Sequence, residues 1–175
     1  MRWMILLMAL ATSARAEGGV LEDFTDPQGW SYVSDRVMGG VSDGGAQLAR
    51  DGDRAYAALR GTVSTANNGG FIQIRRALDG LPAETEALIL DVRGNGETYH
   101  VHLRTVDQRR PWDYFSARFV AGPDWRQIVL PLSDFRADRR DPGARLRPED
   151  VRSIGLVAYG KDFEAALDVA AIGVR

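Results

Sequence analysis

The apolar residues of this chain recur at every second position, and that period decides more about its fold than any other feature. Side chains on a strand point alternately to its two sides. From Tyr99 to Thr105, the residues Tyr99, Val101, Leu103 and Thr105 therefore share one face, and His100, His102 and Arg104 share the other. The same split sets Phe115, Ala117 and Phe119 against Tyr114, Ser116 and Arg118, and Leu88, Leu90 and Val92 against Ile89 and Asp91. Strands are predicted over Val20 to Phe24, Trp30 to Val33, Ala46 to Ala49, Ala55 to Leu59, Phe71 to Arg76, Ala87 to Val92, Thr98 to Thr105, Tyr114 to Val120, Gln127 to Pro131, Ser153 to Ala158 and Ala166 to Val174. Glycine, proline, asparagine and aspartate punctuate them, as in Asp51-Gly52-Asp53 and Gly94-Asn95-Gly96. One helical turn is expected at Pro148 to Val151, and a surface loop from Ser133 to Pro148. Many short strands with frequent turns predict an all-β fold, an antiparallel β-sandwich.

The first residues read as an export signal. Arg2 gives a positive start, Trp3 to Ala11 is an apolar run too short to span a bilayer, and Ala14-Arg15-Ala16 is a small-x-small cleavage site. The expected division is a signal peptide over residues 1–16 and one sandwich domain over 17–175, exported to a bacterial periplasm. The chain has 22 basic and 24 acidic side chains; without Arg2 and Arg15 the balance is 20 to 24, a net charge of −4. A mildly acidic surface offers no general attraction to nucleic acid or anionic membrane, so neither is expected as a partner. With no cysteine, disulfides and thiolate chemistry are excluded, and stability must come from the core. About 160 residues suffice for one core.

Two glycine-rich stretches stand apart. The first is Ser34-Asp35-Arg36-Val37-Met38-Gly39-Gly40-Val41-Ser42, preceded by Trp30; the second is Asn67-Asn68-Gly69-Gly70-Phe71. Read as residues, they are two tight turns of a β protein, with Asn-Gly a hairpin signal. Two glycines also let another backbone approach closely, and Asp35 and Ser42 can bond nearby amides. Met38 is expected to plug the core, Asn67 and Asn68 to bond their own turn, and Trp30 and Trp125 to lie in the core. The wording of these stretches resembles the complex I intermediate-associated protein 30 family, whose best-known members are assembly factors for NADH:ubiquinone oxidoreductase. The resemblance continues through Arg93-Gly94-Asn95-Gly96 before Tyr99, Leu103-Arg104-Thr105, Phe119, Trp125 with Pro131 and Phe135, and Ile154-Gly155-Leu156, covering nearly all of the chain after about residue 20. It implies a jelly-roll sandwich of the galactose-binding and carbohydrate-binding-module type. It also implies an assembly chaperone that binds unfolded or partly assembled complex I subunits. The better-known members work in the mitochondrial matrix, so for an exported relative either the client is a periplasm-facing membrane subunit or the family label exceeds the function of this chain.

If the strands share a sheet, one surface presents His100, His102, Arg104, Asp91, Arg118 and Tyr114, with Trp112 on the adjoining loop. Such a face is either a solvated outer surface or a shallow binding face, since rings and planar donors suit sugars or a peptide. The candidate binding residues are these, apart from Asp91, together with Asp35, Met38, Gly39, Gly40, Ser42, Asn67, Asn68, Gly69 and Gly70. His100-x-His102 has the spacing for two imidazoles to meet one ion, but a zinc site needs further ligands, with Asp91 or Asp113 nearest. No metal or cofactor is expected. No nucleophile elbow, phosphate-cradling loop, zinc-protease helix or dinucleotide fingerprint occurs. The expected function is non-enzymatic binding of a protein client, complex I subunits in particular; the alternative is recognition of envelope or extracellular glycans. The oligomeric state is left open. Exported protein is expected to begin at Glu17, which N-terminal sequencing checks; an intact Met1 would contradict the signal reading.

Overall fold

Each segment with a period of two forms a strand in the computed structural model, which describes residues 19–137 and 143–175. In chain order the strands are β1 (Val20–Glu22), β2 (Ser31–Ser34), β3 (Asp43–Asp51), β4 (Arg54–Val63), β5 (Phe71–Ala77), β6 (Ala87–Gly94), β7 (Thr98–Thr105), β8 (Phe115–Val120), β9 (Arg126–Pro131), β10 (Arg136–Ala137), β11 (Val151–Tyr159) and β12 (Phe163–Val174). The expected signal peptide lies outside the described residues.

The strands form two antiparallel sheets. The first has the order β3-β4-β12-β6-β9, with β1 also paired to β12; the second runs β10-β8-β7-β11-β5-β2. The chain passes repeatedly from one sheet to the other, as from β4 to β5, β6 to β7 and β11 to β12, which gives a jelly-roll sandwich. Leu88, Leu90 and Val92 of the first sheet face Val101, Leu103, Phe115, Ile154 and Leu156 of the second, and all are buried. Fully burying one such side chain is worth about 1.5–3 kcal/mol, and sheets stacked this way hold their core between the two inner faces.

Tyr99 crosses this core with its ring buried against Phe119 and Phe163. Its hydroxyl donates to Asn95 Oδ1 at 2.6 Å and accepts from Ala166 N–H at 2.9 Å, so a strand of the second sheet is bonded to β12 of the first. Burial pushes the phenol pKa up to about 12.

Several local expectations need correction. Asn67-Asn68-Gly69-Gly70 is not a hairpin turn: it carries the chain from β4 in one sheet to β5 in the other. The β3–β4 hairpin is made instead by Gly52-Asp53, with Gly52 at φ +60° in the first central position. The helical turn near Pro148 is a 3-10 turn over Pro148–Asp150, and among the described residues three more such turns occur at Asp35–Met38, Ala66–Asn68 and Leu132–Asp134. The stretch from Ser133 to Pro148 also contributes β10, two residues paired with β8. A pair that short carries no period for a sequence to show.

Candidate functional site

The two glycine-rich stretches meet around one carboxylate. Asp35 is fully buried in the turn that follows β2. It accepts from Ser42 N–H at 2.9 Å, Ser42 Oγ at 2.5 Å, Gly70 N–H at 2.6 Å and Phe71 N–H at 3.3 Å. Ser42 Oγ in turn accepts from Ser64 N–H at 2.9 Å. Burial alone would raise the pKa of Asp35, but the surrounding N–H and O–H donors outweigh it and hold the carboxyl below its ordinary value. The glycines make room for this group rather than for another backbone. A Cβ on Gly40 would lie 2.3 Å from Asp35 Cγ, and one on Gly69 would lie 2.4 Å from Asp35 Oδ2.

Around that centre the loop surface is mixed, with Arg36, Asn67 and Asn68 exposed beside apolar residues. Val37, Met38 and Val41 are exposed, Met38 to 61%. Met38 therefore does not plug the core: the turn that buries Asp35 points it outward. Asn67 and Asn68 adopt positive φ, and Asn67 Nδ2 donates to Gly39 O at 3.3 Å, so it bonds the facing stretch instead of its own turn.

Strand register then sets out the outer face of the second sheet. One row runs Val33, Gln73, Val157, His100 and Arg118; the next runs Ser31, Arg75, Gly155, His102, Ser116 and Arg136. His102 stacks on Tyr114 with ring centroids 3.9 Å apart and a 10° tilt, and both histidines lie edge-on to Tyr159. His100 Nδ1 is 3.1 Å from Ser116 Oγ. Gly155 makes room beside His102 for the Gln73 side chain, which closes over it and leaves it buried. Trp112 and Tyr159 are exposed at the margins. The structure thus brings His100, His102, Tyr114 and Arg118 onto one face, as the period predicts. Arg104 shares their strand face, but its guanidinium donates to the carbonyls of Gln108, Arg110 and Asp113 and braces the loop that carries Trp112.

Burial lowers the pKa of His102 to about 3 and, with the nearby Arg118 charge, also lowers that of His100. The face is therefore a set of neutral rings and hydrogen-bonding groups near neutral pH. Among the described residues no group of three His, Cys, Asp or Glu side chains could hold a metal ion. Asp113 is engaged by Arg110 at 2.9 Å.

Asp91 belongs elsewhere. It lies on β6 in the first sheet, 3.7 Å from Arg54. Alternation assigns a face to each residue but does not say which sheet that face belongs to. Trp125 is also on the first sheet's outer side, not in the core. It packs against Tyr56 and lies under Arg54 and Arg93, each 4.7 Å from its ring centre. Arg93 donates to Asp168 at 2.8 Å and to Asp51 at 2.9 Å, so this cluster largely neutralises itself. Trp30 does pack against the core, and its Nε1 donates to Glu22 at 2.8 Å. Sequence reasoning missed Gln73, Gly155 and Tyr159 as members of the outer face; the period of two that runs from Gly155 through Val157 to Tyr159 was the available signal.

Residues 21–169 match the family model described as Complex I intermediate-associated protein 30. No curated protein matches the chain by sequence. Among solved structures, the chain is similar to the family 11 carbohydrate-binding module of the cellulosomal cellulase Lic26A-Cel5E of Clostridium thermocellum, with a TM-score of 0.74, 16% identity, and 90% of this chain and 93% of that one covered. The Clostridium thermocellum family 11 module in complex with a β-1,3-1,4-mixed-linked tetrasaccharide gives 0.73 and 16%, covering 90% and 94%. A family 30 carbohydrate-binding module gives 0.57 and 14%, covering 78% and 91%. At these identities the likeness is one of fold.

Two predictions follow from the geometry. Gly40→Ala drives a methyl group into Asp35 and is expected to cost about 3 kcal/mol, whereas Gly39→Ala, at φ +91° with open space around it, should cost about 1–2 kcal/mol. Urea unfolding of both variants checks the order. His102 is neutral when folded and titrates near 6.5 when unfolded, so below that pH the unfolded chain binds the extra proton. Stability should therefore fall as pH drops from 7 to 5, by up to about 1.4 kcal/mol per unit from this group. His102→Phe, which keeps a flat ring against Tyr114, is expected to remove the share of the slope that His102 contributes and to leave that of His100, in denaturation measured at both pH values.

Proposed function

The chain belongs to the Complex I intermediate-associated protein 30 family, and we propose that it is an exported, non-catalytic binding protein that holds a protein partner during assembly, using the outer face of its second sheet. The observation that carries this reading is the stacked His102–Tyr114 pair, edge-on to the exposed ring of Tyr159, with exposed Trp112 on the loop two residues before Tyr114. Rings of this kind cover apolar parts of a partner, while Gln73, His100 and Ser116 can meet its polar groups. The neutral state of the histidines suits close packing without a buried charge. Arg104 is engaged with loop carbonyls and His102 is sealed beneath Tyr114, which argues for holding over acid–base chemistry. The family's name directs the choice of partner to complex I subunits, and the export signal directs it to those reachable from the periplasm.

A second reading, recognition of a glycan by the same face, is favoured by one observation: a module of the same fold is known in complex with a mixed-linked tetrasaccharide. Gene deletion separates the two. In the protein-partner reading, membranes from the deletion strain have less assembled complex I and less NADH dehydrogenase activity, and a Trp112→Ala, Tyr159→Ser double variant fails to restore them. Unchanged assembled complex overturns that reading, and specific hits on a glycan array that the double variant loses would support the second.

A further inference from the structure

The sandwich is open along one side. There the edge strand of the first sheet, β3, faces the edge strand of the second, β2. Between them is a cavity of about 200 Å³, lined by Phe24, Trp30, Tyr32, Leu48, Ala57 and Ile74 among others. Leu48 pairs with buried Ala57 and so points to the core side of its sheet, yet it is 59% exposed, because no strand of the second sheet lies fully beneath it. Tyr32 has its hydroxyl buried at this site, and burial pushes its pKa up.

The backbone beside this cavity is also unpartnered. Asp51 and Arg54 close the two-residue turn and form a hydrogen-bonded pair. Counting back, Ala49 and Gln47 bond β4 as well, while Arg50, Leu48 and Ala46 turn their N–H and C=O groups away from it. Among the described residues no strand pairs with that outer edge. Exposed edges are usually short, charged or interrupted by proline. β3 has nine residues; its charges, Asp43, Arg50 and Asp51, are at its ends, and Gly44 to Ala49 carry none. By contrast β2 has four residues, β10 has two, and β9 ends in proline.

We propose that the β3 edge, with the cavity beneath it, is a β-strand addition site for an extended, apolar segment of a protein partner. The row of free backbone groups selects a polypeptide over a lipid or a sugar, because only another main chain matches donors and acceptors at the strand repeat. The cavity adds side-chain selectivity: a strand laid about 4.8 Å from β3 turns every second side chain inward, over Leu48 and toward Trp30. The inference rests on the protein-partner reading and adds a second site, on the side of the sandwich, to the sheet face described above.

The test uses the processed full chain and a synthetic peptide alternating valine with threonine. With the peptide at ten times its Kd, amide hydrogen exchange at Ala46, Leu48 and Arg50 is expected to slow about tenfold beyond the protein alone. Leu48→Pro deletes an outward N–H without touching a bond to β4 and should abolish the protection. Should that variant fold poorly, the same peptide N-methylated at alternate residues should give no protection of the unaltered protein. The Trp112→Ala, Tyr159→Ser variant should respond to the peptide as the parent does, so loss of the sheet-face function and loss of edge pairing are separately visible. The proposal is overturned if these amides are unaffected while partner binding persists, or if protection appears without peptide and grows with protein concentration, which would give the edge to a second copy of this chain.

Discussion

The buried carboxylate of Asp35 is the interaction on which one end of this sandwich depends. It joins three pieces of chain: the exit from β2, the entry to β3 seven residues on, and the crossing from β4 to β5, 35 residues away. A buried charge without partners would be severely unfavourable, and here hydrogen-bond donors take the place of a cation. Because Ser42 relays the contact to Ser64, the hydrogen bonds run without a break from the start of β5 to the end of β4. Two glycines are needed because anything larger would occupy the space of the carboxylate. With the loops held this firmly, Val37, Met38 and Val41 stay in solvent instead of folding back.

The two outer faces show how one alternating pattern yields different chemistry. On the first sheet, Arg60, Arg93 and Arg54 meet Asp168, Asp51 and Asp91, with Trp125 and Tyr56 packed among the guanidinium groups. Its charges satisfy one another, and little is left over for a ligand. On the second sheet Arg75 and Arg118 flank a centre of neutral rings, a buried valine and a glycine covered by Gln73, with no opposing carboxylates paired across it among the described residues. Such a centre can be covered without stranding an ion. This asymmetry is the physical ground for proposing the second sheet as the binding face.

Much of this was legible in the residues. Period two sets His100 and His102 on one side of β7, and Ser116 and Arg118 on one side of β8; the two strands, consecutive in the chain, then pair without a bulge and bring these residues onto one face. The failures have a common cause. Asp91 obeys the same period and still belongs to the other sheet, since parity is a property of one strand and sheet membership is a property of the whole topology. Met38 and Trp125 are apolar residues beside strands, and hydrophobicity favoured the core for both. Met38 was turned out by a buried acid beside it, and Trp125 found its cover in arginine side chains. Arg104 is on the expected strand face, but three carbonyls of the next loop engage it, a use that appears only once that loop folds back.

Local physics is what the sequence alone could determine. Alternation fixed strand identity and face, glycine and asparagine marked the chain reversals, and the wording of two short stretches marked the family. Tertiary structure decided what no local rule contains: which strands are neighbours, which edge stays open, and that two glycine-rich stretches share one carboxylate. The reason is that side-chain direction depends on a residue's own backbone, whereas a free edge, a cavity or a buried acid depends on segments tens of residues away that meet only when both sheets have closed.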